Sequence, residues 1–425
     1  MRALPALGHL PWFWRDTAGF LLRLAREQGD VAVFRLGRQQ AFLLSHPEHV
    51  RRVLVDDAAL FRKGRLMRRA RRLLGDGLLT SEGDLHRTQR RRIQPAFCRE
   101  QVERYGDIVA ELADQVTEHW RDGRVVDVGA AMDRLTLSVI ARTMLGADLH
   151  RGAVPLGADL RLVARRAPFF AAPLAHRIER AGLPPFRAAG LAADRIERAV
   201  LGWVHNGFGH SGRDLLSLLR PMAPGLARDE AMTIFLAGHD TTAAALTWTW
   251  HLLAVHPQVP RRLERELDEV LGARAPAPAD LPALVLTRGV LDETLRLYPP
   301  VGRIGRRPVA DYVIDGCRIP AGAPVFLSPY VTGRDPRWWP DPERFDPYRW
   351  TSEAAAGRPR HAAFPFGAGP RSCIGGHMAR SVGALAIAAI ARCWRMHSLP
   401  GPAPRPRGIL TLKPSRPLRL RLERR

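Results

Sequence analysis

The chain has 425 residues and a hydrophobic fraction of 46%, which is enough for a sizeable globular core. Its formal net charge is +23, and arginine supplies all but two of its 65 basic residues, Lys63 and Lys413. No run of about 20 apolar residues occurs, so a membrane anchor is not predicted. The N-terminus shows no apolar core followed by a cleavage site, which argues against a signal peptide.

The four cysteines form no Cys-x-x-Cys pair, which argues against a zinc site. They are also too few for a disulfide scaffold, so we expect a reducing, cytoplasmic location. The basic charge leaves nucleic acid, an acidic membrane and an acidic protein open as partners. For the C-terminal tail, "RPLRLRLERR", we favour genomic codon bias, with arginine placed wherever a solvated cation serves.

In chain order, about residues 1–60 predict a helix followed by a small hairpin. About residues 85–300 show helical periodicity with breaks at proline and glycine. About residues 301–425 begin with a stretch rich in proline and glycine that carries short strands, and then continue into an apolar helix after Cys373. No composition shift marks a boundary, so we predict one large domain, mainly α with a minor β region.

The longest predicted helix runs from about residue 228 to 255 and contains "AGHDTT" at 237–242. Asp240 and Thr241 interrupt flanking segments that are too apolar for a solvated face. An ordinary kink is the alternative, because threonine can bond back to the preceding turn. Since buried polar groups are costly without partners, we favour a functional acid–alcohol pair.

Two further clusters place charges at helical spacing. Glu293 and Arg296 lie three residues apart in "VLDETLRLYPP", an apolar setting that favours a buried pair, and Arg344 of "PERF" is a candidate third member. His86 and Arg90 lie four residues apart and together suit a carboxylate. A basic solvated helix or a nucleic-acid face is the alternative for that second cluster.

The segment "FPFGAGPRSCIGG", residues 364–376, surrounds one cysteine with glycines and prolines. Glycine permits sharp turns and close approach, and proline restricts the turn. Arg371 stands two residues before Cys373, where a cation favours the thiolate. The segment therefore predicts a tight loop that presents a sulfur anion to a large group lying against the backbone.

Taken together, these motifs resemble those of the cytochrome P450 family, the haem-thiolate monooxygenases, in order and spacing along nearly the whole chain. The family's haem-loop pattern is met by five residues, Phe366, Gly369, Arg371, Cys373 and Gly375. The resemblance implies the P450 fold and a haem b cofactor whose axial ligand is the Cys373 thiolate.

The resemblance also implies roles for the remaining motifs. The positions expected to bind the haem propionates are His86, Arg90, Arg306 and Arg371. On the long helix, Ala237 and Gly238 are expected to leave a groove for dioxygen. Thr241 is expected to hydrogen-bond the dioxygen or a water beside it, and Asp240 to relay protons. The set of Glu293, Arg296 and Arg344 is expected to be structural.

The implied activity is insertion of one oxygen atom of dioxygen into an apolar small molecule. Electrons are expected from a separate ferredoxin or flavodoxin with its NAD(P)H-dependent reductase, and the chain is expected to be a monomer that binds no nucleic acid. A peroxide-using or isomerising relative is an alternative that Asp240 and Thr241 weigh against. A distant alternative, an arginine-rich nucleic-acid-binding protein without catalysis, leaves the haem loop unexplained.

The expected substrate pocket is mainly apolar, which favours a terpenoid-, lipid- or polyketide-like molecule. Its walls are expected from the region 160–190 and from Leu78, Leu79, Phe235, Val301 and Ile304. Arg303 stands in this otherwise apolar stretch and leaves three alternatives open. In order of expectation, its side chain turns to solvent, binds a haem propionate, or binds a substrate carboxylate.

Overall fold

Helices dominate the computed structural model, which describes residues 4–149, 156–170, 184–206 and 212–425. The α-helices are α1 (Leu10–Arg15), α2 (Thr17–Gln28), α3 (Pro47–Arg51), α4 (Arg65–Leu74), α5 (Gly83–Ile93), α6 (Arg99–Arg104), α7 (Gly106–Thr117), α8 (Val128–Met144), α9 (Leu156–Phe170), α10 (Pro184–Asn206), α11 (Leu215–Leu219), α12 (Pro224–Val255), α13 (Gln258–Leu271), α14 (Val285–Leu297), α15 (Pro329–Thr332), α16 (Ser352–Ala355) and α17 (Gly376–Ala391). The strands are β1 (Val31–Leu36), β2 (Gln39–Leu44), β3 (Phe61–Lys63), β4 (Val125–Asp127), β5 (Ile304–Pro308), β6 (Tyr312–Ile314), β7 (Cys317–Ile319), β8 (Val325–Leu327), β9 (Trp394–Ser398), β10 (Pro406–Arg407), β11 (Lys413–Pro414) and β12 (Arg419–Arg424).

The main sheet has five strands in the order β1-β2-β8-β5-β3. Strands β2 and β8 pair in parallel, and the other neighbours pair antiparallel. The first hairpin buries Ala32 and Phe34 against Phe20 and Leu21 of α2, because alternate side chains of a strand share one face. The helix and hairpin predicted near the N-terminus are thus present, and the sheet continues from this hairpin through β8 to β5.

Helix α12 crosses the centre of the molecule over 32 residues. It begins at Pro224, about one turn before the predicted start, because proline fits the first helical position, where no backbone N–H is needed. It ends at Val255 before His256 and Pro257, as predicted. Its buried side chains pack with α8, α10, α14 and α17 in the largest apolar core.

The C-terminal tail forms a strand that the sequence analysis did not assign. Strand β12 lies between β4 and β9 and pairs antiparallel with both. Leu420 and Leu422 are buried, while Arg419 and Arg421 between them are exposed. The arginines are solvated as expected, but the alternating leucines contribute to the core.

In the part of the chain that the structure describes, we find no helix that combines the length and the apolarity required to cross a membrane.

Candidate active site

A cavity of about 2240 Å³ lies between α12 and the cysteine loop that precedes α17. It collects residues that are far apart in sequence, from α5, α12, β5 and the loop. The predicted site residues that line it are Leu78, Leu79, His86, Arg90, Ala237, Gly238, Asp240, Thr241, Val301, Ile304, Arg306, Phe366, Arg371, Cys373 and Gly375. Most of the predicted site is therefore brought together in one place.

The cysteine loop is a tight turn stabilised by its own backbone. The N–H of Cys373 donates to the carbonyl of Phe366 at 2.8 Å. Gly367 and Gly369 have φ of 70° and 69°, a region that favours glycine. Gly369 does not line the cavity; a Cβ there would lie 1.9 Å from the carbonyl oxygen of Leu54. The predicted glycine at this position is thus explained by close backbone packing.

The Cys373 side chain is open to the cavity but enclosed by the protein on its other sides. Burial against the protein raises the pKa of its thiol, although the Gly375 backbone and the charges of Arg90 and Arg380 lower it in part. The expectation that Arg371 is the neighbouring cation is therefore not met. Arg371 turns to Glu82 in an ion pair and donates to the carbonyl of Ser81 at 3.2 Å.

Several cationic side chains converge beside this loop, and burial disfavours their charge. The pKa of His86 is lowered to about 4 by burial and by Lys63, and that of Arg306 to about 10 by burial and by Arg371. Arg90 donates to the Ser372 carbonyl at 2.6 Å. Among the described residues, no carboxylate lies within ion-pair distance of Arg306, so this end of the cavity suits a group that carries carboxylates.

Lys63 belongs to the same cluster and was missed by the sequence analysis. Its Nζ donates to the carbonyls of Leu78, Leu79 and Ser81 at 3.1, 2.7 and 2.8 Å. Burial, and then the charge of Arg371, lower its pKa to about 7. The available signal was its rarity, because lysine occurs at just two positions in an arginine-rich chain.

On the opposite wall, α12 presents the predicted acid–alcohol pair. The hydroxyl of Thr241 donates to the carbonyl of Ala237 at 2.7 Å. Asp240 forms an ion pair with Lys413 of β11 at 2.6 Å. Burial alone would raise the pKa of Asp240, but the charge and hydrogen bond of Lys413 outweigh it and lower that pKa. Lys413 is the second functional candidate that the sequence analysis missed.

Gly238 also lines the cavity, but a side chain at this position would prevent close packing of α8 against α12. A Cβ there would lie 2.6 Å from Cδ1 of Ile140 in α8. Glycine therefore lets α8 approach α12 closely, and Ala237, whose side chain is open to the cavity, is the residue that leaves space on that face.

Residues 1–154 and 225–421 match the sequence model of the family described as "Cytochrome P450". This chain belongs to the cytochrome P450 family. It is 37% identical over 417 residues to the cyclooctat-9-en-7-ol 5-monooxygenase of Streptomyces melanosporofaciens, covering 94% of this chain and 89% of that protein. It is 32% identical over 434 residues to the pentalenene oxygenase of Streptomyces avermitilis, covering 99% and 96%.

The fold is also that of a solved P450. The retinoic acid-bound cyanobacterial CYP120A1 superposes with a TM-score of 0.88 at 24% identity, covering 100% of this chain and 98% of that chain. The predicted fold class is confirmed, and so is the enzyme class, an oxidoreductase that incorporates oxygen. A nucleic-acid-binding protein without catalysis is thereby ruled out as the class of this chain.

The predicted ion pair of α14 is fully buried in this P450. Arg296 donates twice to Glu293, at 2.8 and 2.7 Å, and neither side chain reaches solvent. Arg344 contributes its backbone carbonyl to Arg296 at 3.1 Å, but its side chain is exposed. The predicted third member is instead Arg349, whose Nε lies 3.4 Å from Glu293.

Two expectations about the pocket need correction, and a third lies partly outside the described residues. Phe235 is buried against Trp203 of α10 and does not line the cavity, because two residues rotate a helix by about 200° from Ala237. Arg303 does not turn to bulk solvent; its side chain lines the cavity. In the region 160–190, residues 171–183 are not described, while Leu160, Val163 and Ala189 line the cavity.

Proposed function

We propose that this P450 holds haem b through the Cys373 thiolate and oxidises an apolar, terpenoid-like small molecule. The observation that carries the proposal is the position of Cys373, on a tight loop that faces Ala237 and Thr241 across one cavity. Haem bound in this way supplies the dioxygen chemistry of the family. The protein supplies binding, orientation and protons.

The cationic cluster supports binding of the two haem propionates. Arg306 is half-buried, has no carboxylate partner in the described structure, and donates to the carbonyl of Gly305 at 3.1 Å. His86 and Arg90 line the same wall. Carboxylates placed here would stabilise charges that burial now disfavours. Arg371 is assigned a smaller share, because Glu82 already pairs with it.

Proton delivery is assigned to Asp240 and Thr241. The Asp240 carboxylate is held ionised by Lys413, so it can accept a proton from solvent only when it separates from that ammonium. The Thr241 hydroxyl, now bonded to the Ala237 carbonyl, is placed to hold a water or an oxygen ligand in the cavity. Asp240 and Thr241 are neighbours in the lining of the cavity, so a proton can pass between them.

The substrate class rests on the relatives and on the lining. Relatives at 32–37% identity are named for cyclooctat-9-en-7-ol, cyclooctatin and pentalenene. The wall residues Leu78, Leu79, Val301 and Ile304 are apolar, which suits a lipophilic body. We assign electron supply to a separate acidic ferredoxin or flavodoxin with its reductase, which a basic surface would steer.

The decisive experiment is the optical spectrum of the reduced, carbon monoxide-treated protein. We expect the thiolate-type Soret shift in the wild type and its loss in Cys373→Ser and Cys373→His, together with loss of oxygen insertion. Cys317→Ser, at a partly buried cysteine in the β6–β7 hairpin, is the matched control and keeps both. Oxygen insertion by Cys373→Ser would show that the wrong residue had been assigned.

The substrate class is tested by the low-to-high-spin optical shift. Pentalenene and cyclooctat-9-en-7-ol are the first ligands to titrate, with polar molecules of equal size as controls. A response limited to the polar molecules would contradict the proposed class.

A further inference from the structure

Arg303 carries a charge inside the cavity without a visible partner. Its guanidinium carbon lies 5.1 Å from the centre of the Phe13 ring in α1. Within the described residues, we find no hydrogen bond and no ion pair for this side chain. Burial lowers its pKa to about 10, so it is still protonated at neutral pH. Arg303 is half-buried and open to the cavity, so its guanidinium has donors with no protein acceptor, and a ligand that enters the cavity can supply one.

The acceptor is not expected to be a haem propionate, because Arg303 faces away from the cationic cluster. Alternate residues of an extended chain point to opposite sides. Ile304 faces the cysteine loop, with its Cδ1 3.5 Å from where a Cβ of Gly367 would be. Arg306, two residues further on, is close enough to Arg371 for their charges to interact. Arg303 lies instead toward Phe13 and α1.

The surroundings of Arg303 are aromatic and apolar. Phe13 packs against Phe326 of β8 at 5.5 Å between ring centres, and Leu10 and Trp14 line the same part of the cavity. A single guanidinium on such a wall offers parallel N–H groups, which match the two oxygens of one carboxylate.

None of the carboxylates that line the cavity forms an ion pair with Arg303 in the described structure, and three of the five are engaged by other cations; the five are Asp127, Asp133, Asp194, Glu197 and Asp240. Asp240 and Asp133 contact Lys413, and Glu197 pairs with Arg228 at 2.6 Å. They therefore do not serve as partners for Arg303.

We propose that Arg303 binds a carboxylate of the substrate, so that the substrate is an apolar molecule with one acidic end. This refines the proposed function and rests on it, since it assumes that the cavity is the substrate pocket. The acidic end lies beside α1 and the apolar body extends toward Cys373. Oxidation is therefore directed to carbon atoms remote from the carboxyl group.

The test compares acid and alcohol forms of the same molecule at pH 8. The probes are tetradecanoic acid with tetradecan-1-ol, and abietic acid with abietinol. Dissociation constants are measured on the haem-loaded protein by the spin-state shift and by calorimetry. The variants are Arg303→Leu, Arg303→Lys and the control Arg15→Leu, which removes an exposed arginine of the same helix that carries Phe13.

We expect the wild type to bind at least one acid more tightly than its alcohol. Arg303→Leu should weaken the acid about ten- to hundredfold, the range for a lost hydrogen bond to a charged group, and leave the alcohol within about threefold. Arg303→Lys should retain part of the preference, and Arg15→Leu all of it.

Three results would overturn the proposal. The wild type could bind neither acid better than its alcohol, or Arg303→Leu could weaken both forms equally. Haem loss in Arg303→Leu with unchanged acid preference would assign the residue to a propionate. Failure of the proposed function is separate, because it appears as a missing thiolate-type spectrum, whereas calorimetry reports ligand binding regardless of that spectrum.

Discussion

The fully buried Arg296 and the half-buried arginines of the cavity differ in how their donors are satisfied. Arg296 of α14 donates to the carboxylate of Glu293 and to the carbonyls of Gly333, Pro342 and Arg344. Arg303 and Arg306, in the cavity, have no carboxylate within ion-pair distance in the described structure. An enclosed charge without a partner is costly. We therefore assign Arg296 a role in folding, and Arg303 and Arg306 roles in binding ligands.

The comparison predicts the largest loss of stability at the satisfied arginine. Arg296→Met leaves Glu293 as a buried carboxylate without its main partner, which typically costs about 3–5 kcal/mol. We expect little soluble, haem-containing protein. The control is Arg344→Leu, whose side chain is exposed and should change the melting temperature little. An equal loss of stability in both variants would show that the Arg344 side chain also stabilises the fold.

The buried carboxyl group of Glu230 falls between these two cases, because one of its oxygens accepts a hydrogen bond and the other does not. One carboxyl oxygen accepts from the N–H of Leu78 at 2.9 Å, and the other has no partner in the described structure. Burial raises the pKa of Glu230 to about 7. The unfolded chain loses this proton near pH 4.5, so the stability contributed by Glu230 falls as pH rises from about 4.5 to about 7.

Glu230→Gln should remove that fall. Its melting temperature relative to the wild type should rise between pH 5 and pH 8, by an amount equivalent to at most about 3 kcal/mol. Thermal unfolding followed by circular dichroism at both pH values measures the difference. A constant offset between the two proteins would mean that Glu230 is ionised in the fold.

Replacing Arg306 in the cavity is expected to lower the affinity for haem more than the stability of the fold. Arg306→Leu removes a cation assigned to a haem propionate, so haem affinity should fall about ten- to hundredfold, while the melting temperature of the chain without haem should hold or rise. The ratio of haem to protein after gel filtration gives the first value. Arg419→Leu, at an exposed arginine of β12 that does not line the cavity, is the control.

The smallest effect is expected at Lys413, a paired charge that borders the cavity. Lys413→Met leaves Asp240 and Asp133 without their cation, so the pKa of Asp240 should rise. We expect turnover to change by about tenfold or less and ligand affinity to stay the same. The acidic limb of the pH–rate profile should shift to higher pH. An unmoved profile with weaker substrate binding would point to a contact with substrate instead.

Most of the fold and the site could be predicted because P450 motifs are local in sequence. The pairing of Glu293 with Arg296 needs a single helical turn, and the cysteine loop closes within a few residues. The helix of "AGHDTT" was recognisable from its apolar flanks. The residues of each motif lie close together within one helix or one loop, so their spacing in the sequence indicates which of them are in contact.

The errors concern side-chain direction and distant partners. Arg344 and Arg349 stand in one short segment, and only packing decides which of them faces Glu293. Phe235 lies about 200° around α12 from Ala237, so an apolar residue type at this position does not by itself indicate the pocket. Lys413 reaches Asp240 from a separate hairpin, and no local pattern predicts such a pairing.

The scarcity of lysine gives this P450 an unusual chemical surface. Lys63 is buried and Lys413 is paired with acids, so in the described structure neither side chain offers a free amine at the exterior. The basic exterior is then made of guanidinium groups, which remain charged far above neutral pH. Amine-directed acylating reagents and cross-linkers should therefore leave this exterior almost unlabelled and its positive charge intact.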